Sequence, residues 1–475
     1  MPAGRRWRWR GRTAVRRIGF LGLVLATAVA ALTAVQSARG ASGLALITGL
    51  ASRCAAAPAS GAASAPLDPT LGWASWPTFQ GVAGHNLVVP GNVGQDPLAA
   101  SWTFRPGAEM SMAPAVVGGV AYLTALNGCV YALDVASGHV RWTFHTGNEL
   151  MSEPLVVGGR VFVGSGNKTI LQTRTGIVRG SGANAIYALQ QGSGHLLWTH
   201  PTVGENMPTQ LYADGRVYSA TGGGEVYALD AATGKATWQT HIGSVVSMSS
   251  LVASGQTAVV GGADPYAFYG INLQSGKVAW KLPLASAEGG VDDITPTVAG
   301  GVAFAQVPEG IFPKATVVEW AINTQTGRNL WQTLLGQGSL AASNKEEAGV
   351  ATAVQGVVYV GSPALKGLWA LNAQTGKPVW AAPTPLRAGI RAAPTVDGST
   401  IFASGQGWLY VIDRQTGALL HAIKVGTPVP GTGTCVTPSP LVVGQTLYFA
   451  AGADNALVAE PVAAALAGRV PALTG

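Results

Sequence analysis

Charge is scarce in this chain: only 11% of its 475 residues are Asp, Glu, Lys or Arg, under half the usual share. The surplus of base is local. Eight of the 29 lysines and arginines are arginines in the first forty residues, which leaves 21 bases against 22 acids in the rest. That balance excludes the basic footprint of a nucleic-acid-binding protein. Cysteine is equally sparse. Cys54, Cys129 and Cys435 are too few for a disulfide framework, no two are adjacent, and no Cys-x-x-Cys-His run offers covalent haem attachment. Few carboxylates also means few groups to protonate, so the composition suits an acidic exterior as well as it suits plain Gly/Ala bias.

The uncharged run 18–35 follows Arg5, Arg6, Arg8, Arg10, Arg12, Arg16 and Arg17, and no acid occurs before Asp68. Basic head, apolar run and Ala/Ser/Gly/Pro-rich continuation read as an export signal. The run is also just long enough to cross a bilayer, so a retained anchor is the alternative. Arg16-Arg17-Ile-Gly-Phe-Leu is only loosely of twin-arginine type, and Ser52-Arg53-Cys54 lacks the small residue that a lipoprotein signal places before its Cys. The expected organisation is a signal peptide or N-terminal anchor over 1–40, a linker over 41–72, and a folded region over 73–475. The expected location is periplasmic or extracellular, with membrane association only through 18–35.

What the chain has in abundance is repetition. Residues 226–238 read Val-Tyr-Ala-Leu-Asp-Ala-Ala-Thr-Gly-Lys-Ala-Thr-Trp, two alternating strands joined by an Asp-x-x-Thr-Gly turn. The Asp carboxylate can accept the turn's own N–H groups, and the Gly supplies the positive φ that turns the chain back. The unit recurs from Tyr131 to Trp142, Tyr187 to Trp198, Tyr269 to Trp280, Trp320 to Trp331, Trp369 to Trp380 and Tyr410 to His421. Upstream lies a second, Pro-led hairpin, seen at 114–122, 154–162, 296–304 and 394–402. Four strands per repeat at this spacing predict the blades of a propeller.

The fold expected is therefore all-β: an eight-bladed β-propeller of four-stranded antiparallel blades. Residues 440–448 and 455–459 supply three inner strands of the last blade, but no Trp follows them. The missing outer strand is expected from the N-terminal side, at 99–104 around Trp102, closing the ring and removing its open edges. Cys129 and Cys435 fall on one face of the neighbouring first and last blades, where a disulfide would clasp the closure, subject to strict geometry.

These hairpins, together with Trp76-Pro-Thr-Phe-Gln-Gly, Asn92-Val-Gly and Trp102-Thr-Phe, resemble the repeats of the quinoprotein (pyrroloquinoline quinone) propeller superfamily over about 73–460. The resemblance implies the fold but not the chemistry. The superfamily includes quinone-dependent dehydrogenases, an outer-membrane assembly lipoprotein and tetrathionate hydrolases. The dehydrogenases carry a vicinal Cys-Cys pair and a calcium site, and this chain has neither pattern, so no cofactor or metal is expected. The assembly lipoprotein, a non-catalytic scaffold that presents loops to protein partners, is the second reading.

Between these readings the loops that lead into each blade's first strand decide, because they line the funnel at the ring axis. They carry Glu109, Glu149, Glu153, Glu205, Asp292 and Asp293, with Glu288, Glu346 and Glu347, and every methionine except Met1. Met151, Met207 and Met248 read either as a soft plug of the axial gap or as a polarizable surface for a sulfur chain. Counting back from the strand-opening position places Glu205 opposite Arg391 across the axis, with Cys435 at the same level. Asp292 and Asp293 share a confined site, where repulsion and desolvation raise one carboxyl's pKa.

In character the chain is closest to the tetrathionate hydrolases, which implies hydrolysis of a sulfur–sulfur bond in a small anionic substrate by a funnel aspartate. Asp293, or Asp292, is then the base, Arg391 the cation for a sulfonate end, and His145, His200 and His241 add positive charge in acid. Cys435 is a weaker nucleophile at low pH. A homodimer stays open.

Overall fold

The repeat's turn closes on itself before any blade packs. Asp230 Oδ1 accepts from Thr233 N at 2.8 Å and from Thr233 Oγ1 at 2.7 Å, and Gly234 follows at φ 70°. Asp413 does the same for Thr416, and Asn272, Asn323 and Asn372 substitute an amide oxygen for the carboxylate. The computed structural model describes Cys54 and residues 57–62, 88–89, 100–110, 112–173, 176–284, 290–309, 314–339, 348–426, 438–451 and 456–471.

Each turn joins the outer two strands of a four-stranded antiparallel meander. In the third blade Leu211–Ala213, Arg216–Ala220, Glu225–Asp230 and Ala236–His241 pair in that order. Eight such sheets make an eight-bladed β-propeller, in which the short first strands of neighbouring blades lie side by side around the axis. Third strands alternate aromatic and small residues and are buried on both faces, as in Glu225–Asp230, whose core is Val226, Tyr227, Ala228 and Leu229.

Trp and Gly of the repeat meet between blades, not within one. Trp198 Nε1 donates to Ala231 O of the next blade at 3.1 Å, and a Cβ on Gly234 would stand 2.6 Å from the Trp198 ring. Trp142, Trp238, Trp280, Trp331 and Trp380 repeat the bond to Gln191, Leu273, Thr324, Ala373 and Arg414. The glycine thus serves twice, once for its positive φ and once for the space under the indole. In the seventh blade His421 takes the place of Trp, with Nε2 3.0 Å from Leu466 O.

The closure forms as expected. Ser101–Arg105 pairs antiparallel with Ala456–Pro461, setting Trp102 against Ala459, and Trp102 Nε1 donates to Val135 O of the first blade at 2.7 Å. Two additions come from residues read as linker or left unplaced. Ala57–Ala62 forms a fifth strand on Ser101–Arg105, at the edge of the eighth blade. Val88–Val89 lies parallel to Thr395–Asp397, the innermost strand of the seventh.

The cysteine pairing is corrected: Cys129 is joined to Cys54, with Cα atoms 5.7 Å apart, and so is not available to Cys435. The physical reason is the fifth strand, which carries Cys54 back along the closing blade to the start of Cys129–Asp134. Cys435 lies outside the described residues, as do Glu288, Glu346, Glu347, Trp73, Trp76 and the run 18–35.

Two blades depart from the plain meander. The outer strand of the sixth is reduced to Thr384–Pro385 and one bridge from Pro378 to Leu371, because Pro378, Pro383 and Pro385 lack the N–H a ladder needs. In the second, a separate hairpin of Ile170–Thr173 and Gly176–Arg179 is inserted between Arg160–Ser165 and Ala185–Gln190. This insertion carries Arg179 to the candidate site.

Candidate functional site

The loops entering the first strands converge, and contacts between non-adjacent blades show that they do so at the axis. Met151, Met207 and Met248, each four residues before the strands Leu155–Val157, Leu211–Ala213 and Val252–Ser254, pack into one buried cluster flanked by Met112 and Leu126. Four consecutive blades contribute to this soft, apolar patch. Unbranched thioethers suit it, since side chains arriving from several directions leave an irregular gap.

Charge gathers beside it. Arg179, the last residue of the inserted hairpin, brings Nε within 2.9 Å of Glu205 Oε1 and Nη1 within 3.8 Å of Asp293 Oδ1. Arg391, entering the seventh blade, donates from Nη2 to the carbonyl of Asp293 at 2.7 Å and lies 3.9 Å from Met248 Sδ. Asp293 is thus approached from blade two on one side and blade seven on the other. Its neighbour Asp292 is buried, and the Asp292 carbonyl accepts from Met248 N at 2.9 Å and Ser249 N at 2.7 Å. Residues 291–293 form a turn ahead of the strand, with Asp293 N donating to Gly290 O at 3.2 Å.

The ionisation of Glu205 is pushed up, to about 8. Burial is the main cause: its side chain has no exposed surface. Arg179 and Lys168 pull its pKa down, and Asp293 and Asp292 push it up. Lys168 is held below the usual lysine range by desolvation and the Arg179 charge, against Glu109, Asp293 and Glu149.

Of the residues singled out in the sequence, Glu205, Asp292, Asp293, Arg391, Met151, Met207 and Met248 therefore share one region. Of the two residues expected opposite one another across the axis, Glu205 pairs with Arg179 and Arg391 meets Asp293. The histidines do not join them. His145, His200 and His241 end or nearly end the outer strands Val140–His145, Leu196–Pro201 and Ala236–His241, three strands from the axis, and His241 faces Glu225 at 3.1 Å while 61% exposed. Arg179 and Lys168 were missed because the strand pattern ignores insertions. One signal was there: Tyr131 and Tyr187 are 56 residues apart, against 40 for Tyr187 and Tyr227.

Among the described residues no group of three His, Cys, Asp or Glu side chains is placed to hold a metal. The axial carboxylates face guanidinium groups, and Cys129 is bonded to a residue 75 positions away instead of a vicinal partner. These residues do not fit a calcium ion or a quinone seated on a vicinal disulfide.

A closed ring of eight such repeats defines a propeller of the PQQ-like repeat class. The chain belongs to the family whose model is described as outer membrane protein assembly factor BamB, which matches residues 95–176, 173–311 and 313–466. It is 31% identical over 274 residues, 56% of this chain and 53% of the relative, to a tetrathionate hydrolase of Acidithiobacillus ferrooxidans. A tetrathionate hydrolase of Acidianus ambivalens is 26% identical over 56% of this chain and 52% of its own length. The chain thus spans about half the length of these two relatives. BamB of Burkholderia pseudomallei is 24% identical over 72% of this chain and 82% of the relative. Among solved structures, BamB from Moraxella catarrhalis superposes with a TM-score of 0.56 at 18% identity, covering 76% of this chain and 98% of that one, a likeness of fold.

Proposed function

We propose that the protein is an exported hydrolase that cleaves a sulfur–sulfur bond of a polythionate such as tetrathionate. The observation that carries this reading is the placement of Asp293 between Arg179 and Arg391 beside the methionine cluster. It is supported by the likeness to two tetrathionate hydrolases. The step is attack of water on a central sulfur of ⁻O₃S–S–S–SO₃⁻. One S–S bond breaks and one S–O bond forms; thiosulfate leaves with the S–S electron pair, HO–S–SO₃⁻ remains, and one proton is released.

Asp293, or its sequence neighbour Asp292, takes the proton of the attacking water. Arg391 holds sulfonate charge, and the thioethers give the uncharged sulfur chain a surface indifferent to pH. Glu205, its pKa raised to about 8, is neutral in acid and adds no negative charge against the departing thiosulfate. The disulfide Cys54–Cys129 supports an oxidising, extracytoplasmic location.

Thiosulfate release from tetrathionate by the purified protein at about pH 3–4 tests the proposal. No turnover, with binding to outer-membrane assembly proteins instead, favours the second reading, a non-catalytic scaffold, which rests on the family match and the broader coverage of BamB.

A further inference from the structure

The last residue of the hairpin inserted into blade two is tied through its backbone to a loop pair of blade three. Arg179 N donates to Gly222 O at 2.9 Å, Glu205 N donates to Arg179 O at 2.7 Å, and Gly222 N donates to Glu205 O at 2.9 Å. Glycines make this approach feasible. A Cβ on Gly180 would stand 2.3 Å from Glu205 N, and one on Gly222 would stand 2.4 Å from Arg179 O. These are backbone atoms and cannot yield. The hairpin's base is therefore a fixed mount that delivers Arg179 to the axis, where 16% of its side-chain surface stays open. Lys168, just before the same hairpin, interacts with Arg179, Asp293, Glu109 and Glu149.

We infer that Arg179 and Lys168 form an oxyanion site for one sulfonate end of the substrate, and that Glu205 competes with that sulfonate for Arg179. This rests on the reading of the axis as a polythionate site and extends it to a second cationic pole, on the other side of Asp293 from Arg391. A planar guanidinium matches a tetrahedral oxyanion through paired N–H groups. The charged groups interacting with Glu205 are Arg179, Lys168, Asp292 and Asp293. When Glu205 is ionised it holds Arg179 and adds a negative charge beside the place a dianion must occupy. Protonation of Glu205 removes one negative charge and its claim on Arg179. The site is thus built to take doubly anionic sulfur oxyacids in acid and to release them as Glu205 ionises.

The probe is dithionate, an inert dianion with two sulfonate groups, titrated by calorimetry into the full-length protein. Arg179→Gln weakens dithionate binding at pH 4 by about tenfold or more, Lys168→Gln weakens it less, and Arg179→Lys restores part of the loss. Wild-type affinity falls between about pH 6 and 9, around the Glu205 value, and in Glu205→Gln this fall disappears. Unchanged binding in Arg179→Gln, or an unaltered pH dependence in Glu205→Gln, overturns the inference, as does a wild type that ignores dithionate. Should Arg179→Gln not fold, Lys168→Gln and Glu205→Gln carry the test. Dithionate binding without tetrathionate turnover sinks the hydrolase reading and leaves the oxyanion site standing. Turnover whose KM is indifferent to Arg179→Gln does the reverse.

Discussion

Arg391 donates to the backbone carbonyl of Asp293 at 2.7 Å although the two residues enter blades seven and five. Non-adjacent blades meet only at the axis, so this bond marks where the funnel narrows. It also fixes the Asp293 main chain, while Arg179 approaches its carboxylate from the far side. A main chain fixed in this way loses little on reaching its reactive geometry.

The two aspartates should therefore differ in effect. Asp293→Asn keeps the shape and the Arg391 bond, which goes to main chain, but removes the proton acceptor, and tetrathionate turnover drops by roughly 10²–10⁴-fold. Asp292→Asn costs less, because the Asp292 carbonyl, which anchors Met248 and Ser249, survives the change. Steady-state rates of both variants decide the order; equal, full activity would remove the aspartates from the mechanism.

Arg391→Ala loses a sulfonate-binding charge and the brace on Asp293 together. KM for tetrathionate rises and kcat falls, whereas loss of binding charge alone moves only KM. Arg391→Lys, which retains charge without the fork, should restore KM more than kcat.

Stability should favour acid. Glu205 has its pKa raised from 4.5 to about 8 by burial, and burial pushes Glu153 and Glu319 well above the ordinary carboxyl value. Both oxygens of Glu319 are buried without a hydrogen-bond partner. The folded state thus binds these protons more tightly than the unfolded chain. For Glu205 the contribution is complete below about pH 4.5 and is lost as pH rises through about 8. The melting temperature should fall across that window, and Glu205→Gln should make the fall shallower. A melting temperature that climbs from pH 4.5 to 8 contradicts the assignment of these buried carboxyls.

Closure offers a structural test. Trp102 is 2% exposed and bonded to Val135 O, so Trp102→Ala should destabilise by about 3–5 kcal/mol, the usual cost of emptying a buried indole site. Cys54→Ser should cost about 2–4 kcal/mol through loss of a long-range tether and speed proteolysis on the N-terminal side of Ser101–Arg105. Urea melts and limited proteolysis report both; variants as stable as the parent would mean that the ring closes without these contacts.

The sequence by itself determined the repeat. A turn that caps itself with Asp or Asn is a local object, legible as Asp-x-x-Thr-Gly, and strand alternation with a Trp at fixed spacing sets four strands to a blade and eight blades to the ring. Even the circular closure could be read, because a final blade without its Trp and an initial Trp102 without its hairpin complete one another. The methionines and acids could be placed at the axis for the same reason, since all of them fall in the loops that lead into the first strands. What only the tertiary structure decided lay outside the period. The partner of Cys129 depends on a strand at 57–62 folding back along the edge of the eighth blade, where it pairs with Ser101–Arg105, and no spacing encodes that return. Arg179 reaches Glu205 through an insertion whose length was visible but whose direction was not, since that is set by glycines in the next blade that let two backbones touch. Symmetry predicts what each blade does alike; which unlike side chains meet at the axis is settled by packing across it.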